Sequence, residues 1–371
     1  MSSSKPISFA YWVPNVSGGL VVSNIEQRTD WGYEYNKKLA QTAENNGFEY
    51  ALSQVRYMAS YGAEFQHEST SFSLALLLAT ERLKVIAAVH PGLWQPAVLA
   101  KFGATADHLS NGRFAVNVVS GWFKGEFTAM GEPWLEHDER YRRSEEFISV
   151  LRKVWTQDHT DFAGDFYRIR DFSLKPKPLQ TPHPKIFQGG NSHAAREMAG
   201  RVSDVYFMNG NTPEGVEAQI AEVGAGAAAQ GREIGFALNG FMVARDTEAE
   251  AENVVADIIG QANVEAVEGF RDAVQQAGKS TADGTGMWQD STFNDLVQYN
   301  DGFRTGLVGT PEQVARRILK YKALGVEIML LGFLHFQEEI EYFGAKVLPI
   351  VRELEREQGV DTSPEQQAAA S

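Results

Sequence analysis

The 371-residue chain contains no cysteine, which excludes a disulfide scaffold, a thiol nucleophile and any cysteine-ligated metal or iron–sulfur site. Basic side chains are outnumbered, 34 against 48 acidic ones, so the formal net charge is −14. Nucleic-acid binding needs a clustered basic surface, and we expect none. The chain also lacks an apolar run of the ~18–20 residues that cross a bilayer. Residues 1–6 contain no apolar core of a secretory signal. We therefore expect a cytoplasmic protein that does not contact membranes.

Short apolar segments alternate with helical patterns along most of the chain, as in βαβ units of a parallel sheet. The sequence predicts eight strands, at residues 7–14, 48–55, 83–90, 114–121, 185–190, 204–209, 235–244 and 326–333. Eight strand–helix repeats close a TIM barrel. We predict an α/β fold with one (β/α)8 barrel over residues 1–360.

Some segments do not follow this repeat. Residues 122–138 read as a loop insertion, and residues 161–174 as a hairpin around Gly164-Asp165. The longest irregular segment, residues 261–306, lies between the seventh and eighth strands, where a long loop is typical of a lid. The polar residues 361–371 are expected to be a disordered tail.

Active sites of TIM barrels lie at the carboxyl ends of the strands. In this chain the predicted strand ends carry aromatic and amide side chains and almost no acidic ones, which disfavours paired-carboxylate hydrolysis and magnesium-dependent chemistry. An apolar cup with amides at its rim suits a flat, neutral, conjugated ligand. The residues at these ends include Trp12, Asn15, Gln54, Asn117, Ser120, Trp122, Asn239, Phe241, Phe333 and His335.

Two local patterns allow either a functional or a structural interpretation. Residues 188–196 (QGGNSHAAR) follow a strand, open with two glycines and enter a helix, so their amides could bind a phosphate. The same pattern fits an ordinary turn with Asn191 or Ser192 as helix cap. His137 and Tyr141 share a face at a helix start, either to orient a ligand and relay a proton or simply to pack together. No histidine spacing indicates a metal site.

Several longer motifs carry a family resemblance. They are YWVPNVSGGL, DHLSNGRFAVNVVSGW, HDERYRRSEEF, QGGNSHAAREMA, LVGTPEQVARRI and LLGFLHFQEE, in order from about Ile7 to Glu355. Together they resemble the bacterial luciferase-like flavin monooxygenases, in the branch that contains alkanesulfonate monooxygenase. YWVPNVSGGL, SGWFKGEF and QYNDGF look most like the dimethylsulfone monooxygenases within this family.

The resemblance implies a TIM barrel that uses reduced FMN and O₂, with a separate NAD(P)H-dependent reductase that supplies the flavin. It also implies which residues bind the cofactor. The turn formed by Gly189, Gly190, Asn191 and Ser192 would hold the phosphate, and Gln54 and Ala88 would approach the flavin ring. The remaining residues implied to line the flavin are Asn117, Ser120, His137 and Tyr141.

The sequence departs from the sulfonate-cleaving relatives at the expected substrate pocket. Those relatives carry an arginine and a histidine on the strand that here includes Asn239 and Phe241, an arginine near residue 300, and a tyrosine where this chain has Phe333. A sulfonate anion in an apolar cup needs a cation. We therefore expect an uncharged chamber for a small neutral sulfone, unless Arg304 or Arg56 enters it. The expected substrate-pocket residues are Trp12, Asn15, Trp122, Phe241 and Phe333.

The resulting hypothesis is oxygen-dependent C–S cleavage of dimethylsulfone to methanesulfinate and formaldehyde. Asn239 and Asn15 would hold the sulfone oxygens, and His335 or His137 would carry a proton. The alternatives are a broader alkanesulfonate or methanesulfonate monooxygenase, a non-catalytic flavin-binding relative, and a hydride-transferring deazaflavin reductase. A homodimer or homotetramer is expected from the family and from the apolar helix at residues 72–79.

Overall fold

Eight parallel strands form a closed barrel in this computed structural model, which describes residues 5–59, 61–278, 288 and 290–362. Each strand pairs with its neighbours in chain order, and the eighth pairs with the first. The predicted TIM barrel is therefore confirmed. The strands are β1 (Ser8–Val13), β2 (Tyr50–Ser53), β3 (Lys84–Val89), β4 (Phe114–Val118), β5 (Ile186–Gly189), β6 (Val205–Met208), β7 (Gly235–Phe241) and β8 (Ile328–Gly332).

Alternate residues of each strand point to opposite faces, so one set fills the barrel and the other packs under the helices. The interior set forms its own buried cluster, separate from the larger core between strands and helices. This two-residue period decides which side chains can reach the carboxyl-end mouth of the barrel. The interior set consists of Ala10, Tyr50, Leu52, Ile86, Ala115, Phe187, Val205, Phe207, Ala237, Ile328 and Leu330, with Trp12 packed against it.

Helices surround the barrel, and their ends follow sequence signals. In the helix Pro311–Leu324, Thr310 and Gln313 form a capping box, Pro311 begins the helix, and Gly325 ends it with φ +112°. The helices are α1 (Tyr33–Asn45), α2 (Ser69–Ala79), α3 (Pro96–Leu109), α4 (Lys124–Ala129), α5 (His137–Thr156), α6 (His193–Val202), α7 (Pro213–Ala229), α8 (Glu248–Gly260), α9 (Val264–Gly278), α10 (Phe293–Leu296), α11 (Pro311–Leu324), α12 (Phe336–Tyr342) and α13 (Leu348–Glu357). Within the described residues, no helix is long and apolar enough to cross a membrane.

The irregular segments are partly as predicted. The hairpin is confirmed, with strands Thr160–Ala163 and Arg168–Phe172, whereas the predicted loop at 122–138 contains the short helix α4. Further on, the chain adds a two-residue parallel pairing of Val243–Ala244 with Val308–Gly309. The predicted tail falls mostly on residues 363–371, outside the described residues.

The insertion at 261–306 is anchored to the loop that joins β1 to α1. The Val22 amide donates to the Val297 carbonyl at 2.7 Å, and the Asn24 amide to the Gln261 carbonyl at 2.8 Å. Within the insertion, Asp301 is buried with φ +54° and accepts a 2.7 Å hydrogen bond from the Ser291 hydroxyl. Burial raises the pKa of Asp301 to about 7. The insertion contains α9, α10 and a 3₁₀ turn at Gly302–Thr305.

A buried ionic cluster joins the last helix to the first strand at the opposite end of the barrel. The fully buried carboxylate of Glu355 accepts from Lys322 Nζ and Arg352 Nη1, both at 2.6 Å, and from the Ile7 amide at 2.7 Å. Each carboxylate oxygen is thus paired. The cluster ties α13 to the chain segment that enters β1, on the end of the barrel remote from the predicted site.

Candidate active site

A cavity of about 420 Å³ opens at the carboxyl ends of the barrel strands. This volume lies within the ~300–1,000 Å³ typical of small-molecule and cofactor sites. Its wall combines strand ends with the β1–α1 loop, the loop after β2 and the insertion. The predicted residues that line it are Trp12, Gln54, Ala88, Asn117, Ser120, Trp122, Tyr141, Gly189 and Gly190.

The strand register explains why several of these residues face the cavity. Trp12, Ala88, Asn117 and Gly189 each follow an interior residue of their strand by two positions. Asn117 is buried, and its Oδ1 atom has no hydrogen-bond partner within the described part of the chain. A buried amide oxygen without a partner is costly, so this atom marks a position where a bound ligand would donate a hydrogen bond.

The turn after β5 packs so closely against neighbouring side chains that it requires glycine at residue 190. Gly190 has φ +132°, and a Cβ atom on it would lie 2.8 Å from both the Ala195 Cβ and the Tyr141 hydroxyl. The Gly190 carbonyl also accepts a 2.6 Å hydrogen bond from the Tyr206 hydroxyl. Ser192 caps α6 by accepting from the Ala195 amide at 3.3 Å. Gly189 and Gly190 line the cavity, whereas Asn191 and Ser192 do not.

Of the predicted pair at the start of α5, Tyr141 lies on the cavity wall and His137 does not. Tyr141 lines the cavity, and burial raises the pKa of its phenol, which keeps it a hydrogen-bond donor. His137 is buried and does not line the cavity. Its ring packs against Tyr141 with centroids 4.9 Å apart, and its Nδ1 lies 2.7 Å from Asp138 Oδ1. The expected contact of His137 with the flavin and its expected role in proton transfer stay predictions.

Neither asparagine expected to hold the sulfone lines the cavity. Asn15 is fully buried and clamps the backbone of Gln54, with Nδ2 3.0 Å from its carbonyl oxygen and Oδ1 3.1 Å from its amide nitrogen. Asn239 is also fully buried, and its Oδ1 accepts from Trp12 Nε1 at 2.6 Å while its Nδ2 donates to the Asn300 carbonyl at 2.8 Å. Both side chains therefore position residues of the wall and do not line the cavity themselves.

Phe241, Phe333 and His335 also lie outside the cavity wall. The two phenylalanines are fully buried, with Phe241 against Phe303 at 5.1 Å between centroids and Phe333 packed under the helices. The half-buried His335 precedes α12, and its Nδ1 accepts from the Arg28 amide at 3.2 Å. Burial, with a contribution from Arg28, lowers the pKa of His335. The structure therefore does not place Phe241 and Phe333 on the wall as substrate contacts, nor His335 there as a proton carrier.

An aromatic cluster (Tyr61, Trp122, Phe270 and Trp288) lies on the cavity wall, and sequence analysis identified only Trp122. The Phe270 ring lies 5.3 Å from Trp122 and 5.2 Å from Trp288, measured between centroids. The Tyr299 hydroxyl donates to the Tyr61 carbonyl, which connects the insertion to the loop after β2. No local motif marks these residues, because they come from three separate segments of the chain.

The cavity wall also contains a cation, Arg56, whose guanidinium lies 4.2 Å from the centroid of the Trp122 ring. Among the lining residues in the described ranges, Arg56 is the charged one. The expectation of an uncharged chamber is therefore wrong, and of the two arginines left open, Arg56 lines the cavity whereas Arg304 does not. The sequence could not decide between them because neither lies on a barrel strand, where the two-residue period would indicate which side chain faces the cavity.

Comparison with known proteins agrees with this architecture. The family model for luciferase-like monooxygenases matches residues 7–327. The chain is 65% identical over 354 residues to an FMNH₂-dependent dimethylsulfone monooxygenase from Pseudomonas putida, covering 95% of this chain and 98% of that protein. It is 64% identical over 353 residues to the protein of the same name from Pseudomonas fluorescens, covering 95% and 96%. A solved riboflavin lyase aligns with a TM-score of 0.80 at 22% identity, over 97% of this chain and 93% of that one. The chain belongs to the luciferase-like monooxygenase family.

Proposed function

We propose that this protein is an FMNH₂-dependent monooxygenase that cleaves the C–S bond of dimethylsulfone to give methanesulfinate and formaldehyde. The observation that carries the proposal is the high identity, over nearly the whole chain, to dimethylsulfone monooxygenases. The geometry is consistent with it, because a cavity of cofactor size opens at the barrel mouth where this fold places its chemistry.

The residues around the cavity fit FMN. The Gly189–Gly190 turn, which leads into the N-terminus of α6, offers backbone amides and a helix dipole to the phosphate, and the Tyr141 hydroxyl stands beside it. The unpartnered Oδ1 of Asn117 would accept from a donor of the flavin or its ribityl chain. Gln54 and Ala88 line the same cavity nearer β2 and β3, toward the end we assign to the ring.

The chain contributes positioning and exclusion of water, since reduced FMN with O₂ supplies the oxidising chemistry. The aromatic cluster closes one side of the cavity with apolar rings, which limits the access of water to the reacting atoms. Trp12 is held in place by its hydrogen bond to Asn239, and that asparagine is itself tied to the insertion through Asn300. We propose that residues 261–306 act as a lid over this site.

The proposed activity requires O₂ and a reductase that supplies reduced flavin from NAD(P)H. A cytoplasmic location fits this requirement, because that is where NAD(P)H is regenerated.

We also propose a homo-oligomer, with an interface on the adjacent helices α2 and α3. Leu78 on α2 and Val98 and Leu109 on α3 are 60%, 57% and 55% exposed. Exposed apolar side chains on neighbouring helices are typical of a subunit interface. Light scattering on a Leu78→Glu variant tests this proposal: a lower mass than the wild type supports the interface, and an unchanged mass refutes it.

The test of the activity is aerobic turnover with FMN, NADH and a flavin reductase, with formaldehyde and methanesulfinate measured for dimethylsulfone, dimethylsulfoxide and methanesulfonate. We expect formaldehyde and sulfinate in equal amounts from the sulfone, and neither from the reductase alone. Oxygen consumption that is unaffected by the sulfone and yields only hydrogen peroxide would refute the proposal, and anaerobic turnover would indicate a hydride-transferring reductase instead.

A broader sulfonate-cleaving activity is the second candidate, and Arg56 is the observation that favours it, because a cation on the cavity wall offsets the desolvation of an anion. Turnover of methanesulfonate at a rate equal to that of the sulfone would support this reading.

A further inference from the structure

Arg56 is held on the cavity wall by two neighbouring aromatic rings. Its guanidinium stacks over Trp122 at 4.2 Å and lies 6.0 Å from the centroid of the Phe123 ring. A guanidinium that lies over an aromatic ring keeps its N–H donors in its own plane, where they reach a ligand at the edge. Its five donors also allow it to bind a ligand together with other partners.

The backbone of the loop that carries Arg56 is fixed from outside the cavity. Glu126 in α4 is fully buried, and its Oε1 atom accepts hydrogen bonds from the amides of Tyr57 and, at 3.0 Å, Met58. Its other oxygen lies 3.5 Å from His90 Nε2. The loop therefore cannot move without breaking hydrogen bonds to a buried carboxylate, which is costly. Burial lowers the pKa of Arg56, yet an arginine remains charged at neutral pH.

The barrel topology separates Arg56 from the glycine turn. Arg56 follows β2 and the turn follows β5, with β3 and β4 between these strands on one side and four strands on the other. The two features therefore face each other obliquely across the mouth. A phosphate held at the turn therefore lies away from the guanidinium, and the aromatic cluster beside Arg56 suits small alkyl substituents.

We propose that Arg56 binds the sulfonyl oxygens of the substrate and stabilises the negative charge that these oxygens acquire when the C–S bond breaks. This inference rests on the proposed function. The reaction balances as dimethylsulfone, O₂ and FMNH₂ giving methanesulfinate, a proton, formaldehyde, water and FMN. One oxygen atom of O₂ goes to the carbon and the other to water, and the electron pair of the C–S bond stays on sulfur.

The sulfonyl oxygens therefore change from the neutral oxygens of a sulfone to those of a sulfinate anion. A guanidinium interacts more strongly with the anion than with the neutral group. Interactions that strengthen toward the transition state raise kcat, whereas equal binding throughout lowers only KM. The same argument predicts that methanesulfinate, the product, binds at this position as an anion and competes with dimethylsulfone.

The experiment compares Arg56→Gln, Arg56→Lys and the matched control Arg304→Gln, an arginine that does not line the cavity. Three quantities are measured for each protein: kcat and KM for formaldehyde release from dimethylsulfone, the inhibition constant of methanesulfinate, and the dissociation constant of oxidised FMN from flavin fluorescence. Binding of methanesulfinate in the presence of FMN is measured in addition by calorimetry, which needs no turnover.

For Arg56→Gln we expect kcat to fall about 100-fold, as for loss of an oxyanion-binding donor, and the inhibition constant of methanesulfinate to rise at least about 10-fold. Arg56→Lys should recover part of both losses, and Arg304→Gln should behave as the wild type. FMN affinity should change less than about threefold throughout. An unchanged inhibition constant in Arg56→Gln, or an equal loss in Arg304→Gln, would overturn the proposal. A parallel loss of FMN affinity would also overturn it, because Arg56 would then bind the flavin.

Failure of the proposed function would look different. A wild-type protein that releases no formaldehyde from dimethylsulfone refutes the activity, whatever the variants do. Calorimetry then decides on Arg56 separately: sulfinate binding that is lost in Arg56→Gln supports the anion site, and equal binding to wild type and variant refutes it.

Discussion

Replacement of Gly190 by alanine tests the assignment of the glycine turn. The substitution carries two costs. An L-residue at φ +132° is strained by ~1–3 kcal/mol, and the new Cβ would lie 2.8 Å from both the Ala195 Cβ and the Tyr141 hydroxyl, so the turn must move. A displaced turn loses at least one charge-assisted hydrogen bond to the phosphate, worth ~1.5–3 kcal/mol. We therefore expect the dissociation constant of FMN to rise by about 10- to 100-fold.

Fluorescence titration of FMN and of riboflavin, which lacks the phosphate, separates this effect from general damage. Gly190→Ala should weaken FMN binding and leave riboflavin binding within about twofold, because the turn contacts only the phosphate. Gly231→Ala is the matched control, since Gly231 also has positive φ (+65°) but an added Cβ meets nothing within 4 Å. Unchanged FMN binding in Gly190→Ala, or an equal loss of riboflavin binding, would refute the placement of the phosphate.

Three further predictions concern the rest of the molecule. Glu355→Gln should lower the free energy of unfolding, measured by urea denaturation, by about 3–5 kcal/mol, because it leaves Lys322 and Arg352 buried without their carboxylate. The control Glu353→Gln, on the exposed face of α13, should change this free energy by less than about 0.5 kcal/mol. Asp301 has a folded-state pKa of about 7, above its unfolded value, so the folded protein binds the proton of this carboxyl more tightly than the unfolded chain does. The stability that the protonated carboxyl contributes is present at low pH and is lost as the pH rises to 7. Asp301→Asn should therefore unfold at a higher temperature than the wild type at pH 8 but not at pH 5, and a pH-independent difference would contradict this. Asn239→Arg should reduce sulfone turnover at least about 10-fold, because it breaks the hydrogen bonds to Trp12 and Asn300; full formaldehyde release by the variant would show that these bonds do not position the wall.

The barrel was predictable because its signals are local and repeat. Each strand is a short apolar segment followed by a helical pattern, and several helices also begin at a recognisable cap, as at Thr310 and Gln313, so the element order follows from the sequence alone. The long insertion was less predictable. Its helices depend on packing against the β1–α1 loop through contacts such as that of Val22 with Val297, which are remote in the sequence.

The site was predictable where strand register decides the outcome, as for Trp12, Ala88 and Asn117. It was not predictable where a polar side chain forms its hydrogen bonds within the protein. Asn15 and Asn239 are residues of a type that often binds ligands, but their amides are hydrogen-bonded to other residues of the fold. For a related reason the sequence left Arg56 only as an alternative to Arg304 on the wall. Its position depends on Glu126, which is 70 residues further along the chain and anchors the loop through backbone amides.

The pairing between the β1–α1 loop and the insertion has a consequence for protein engineering. Residues 21–24 form bridges and hydrogen bonds with residues near both ends of the segment 261–298. Most of these bonds join backbone atoms, so they constrain the path of the chain more than its side chains. A chimera that receives the insertion of a relative should therefore fold and retain flavin binding only if the matching β1–α1 loop is transplanted with it.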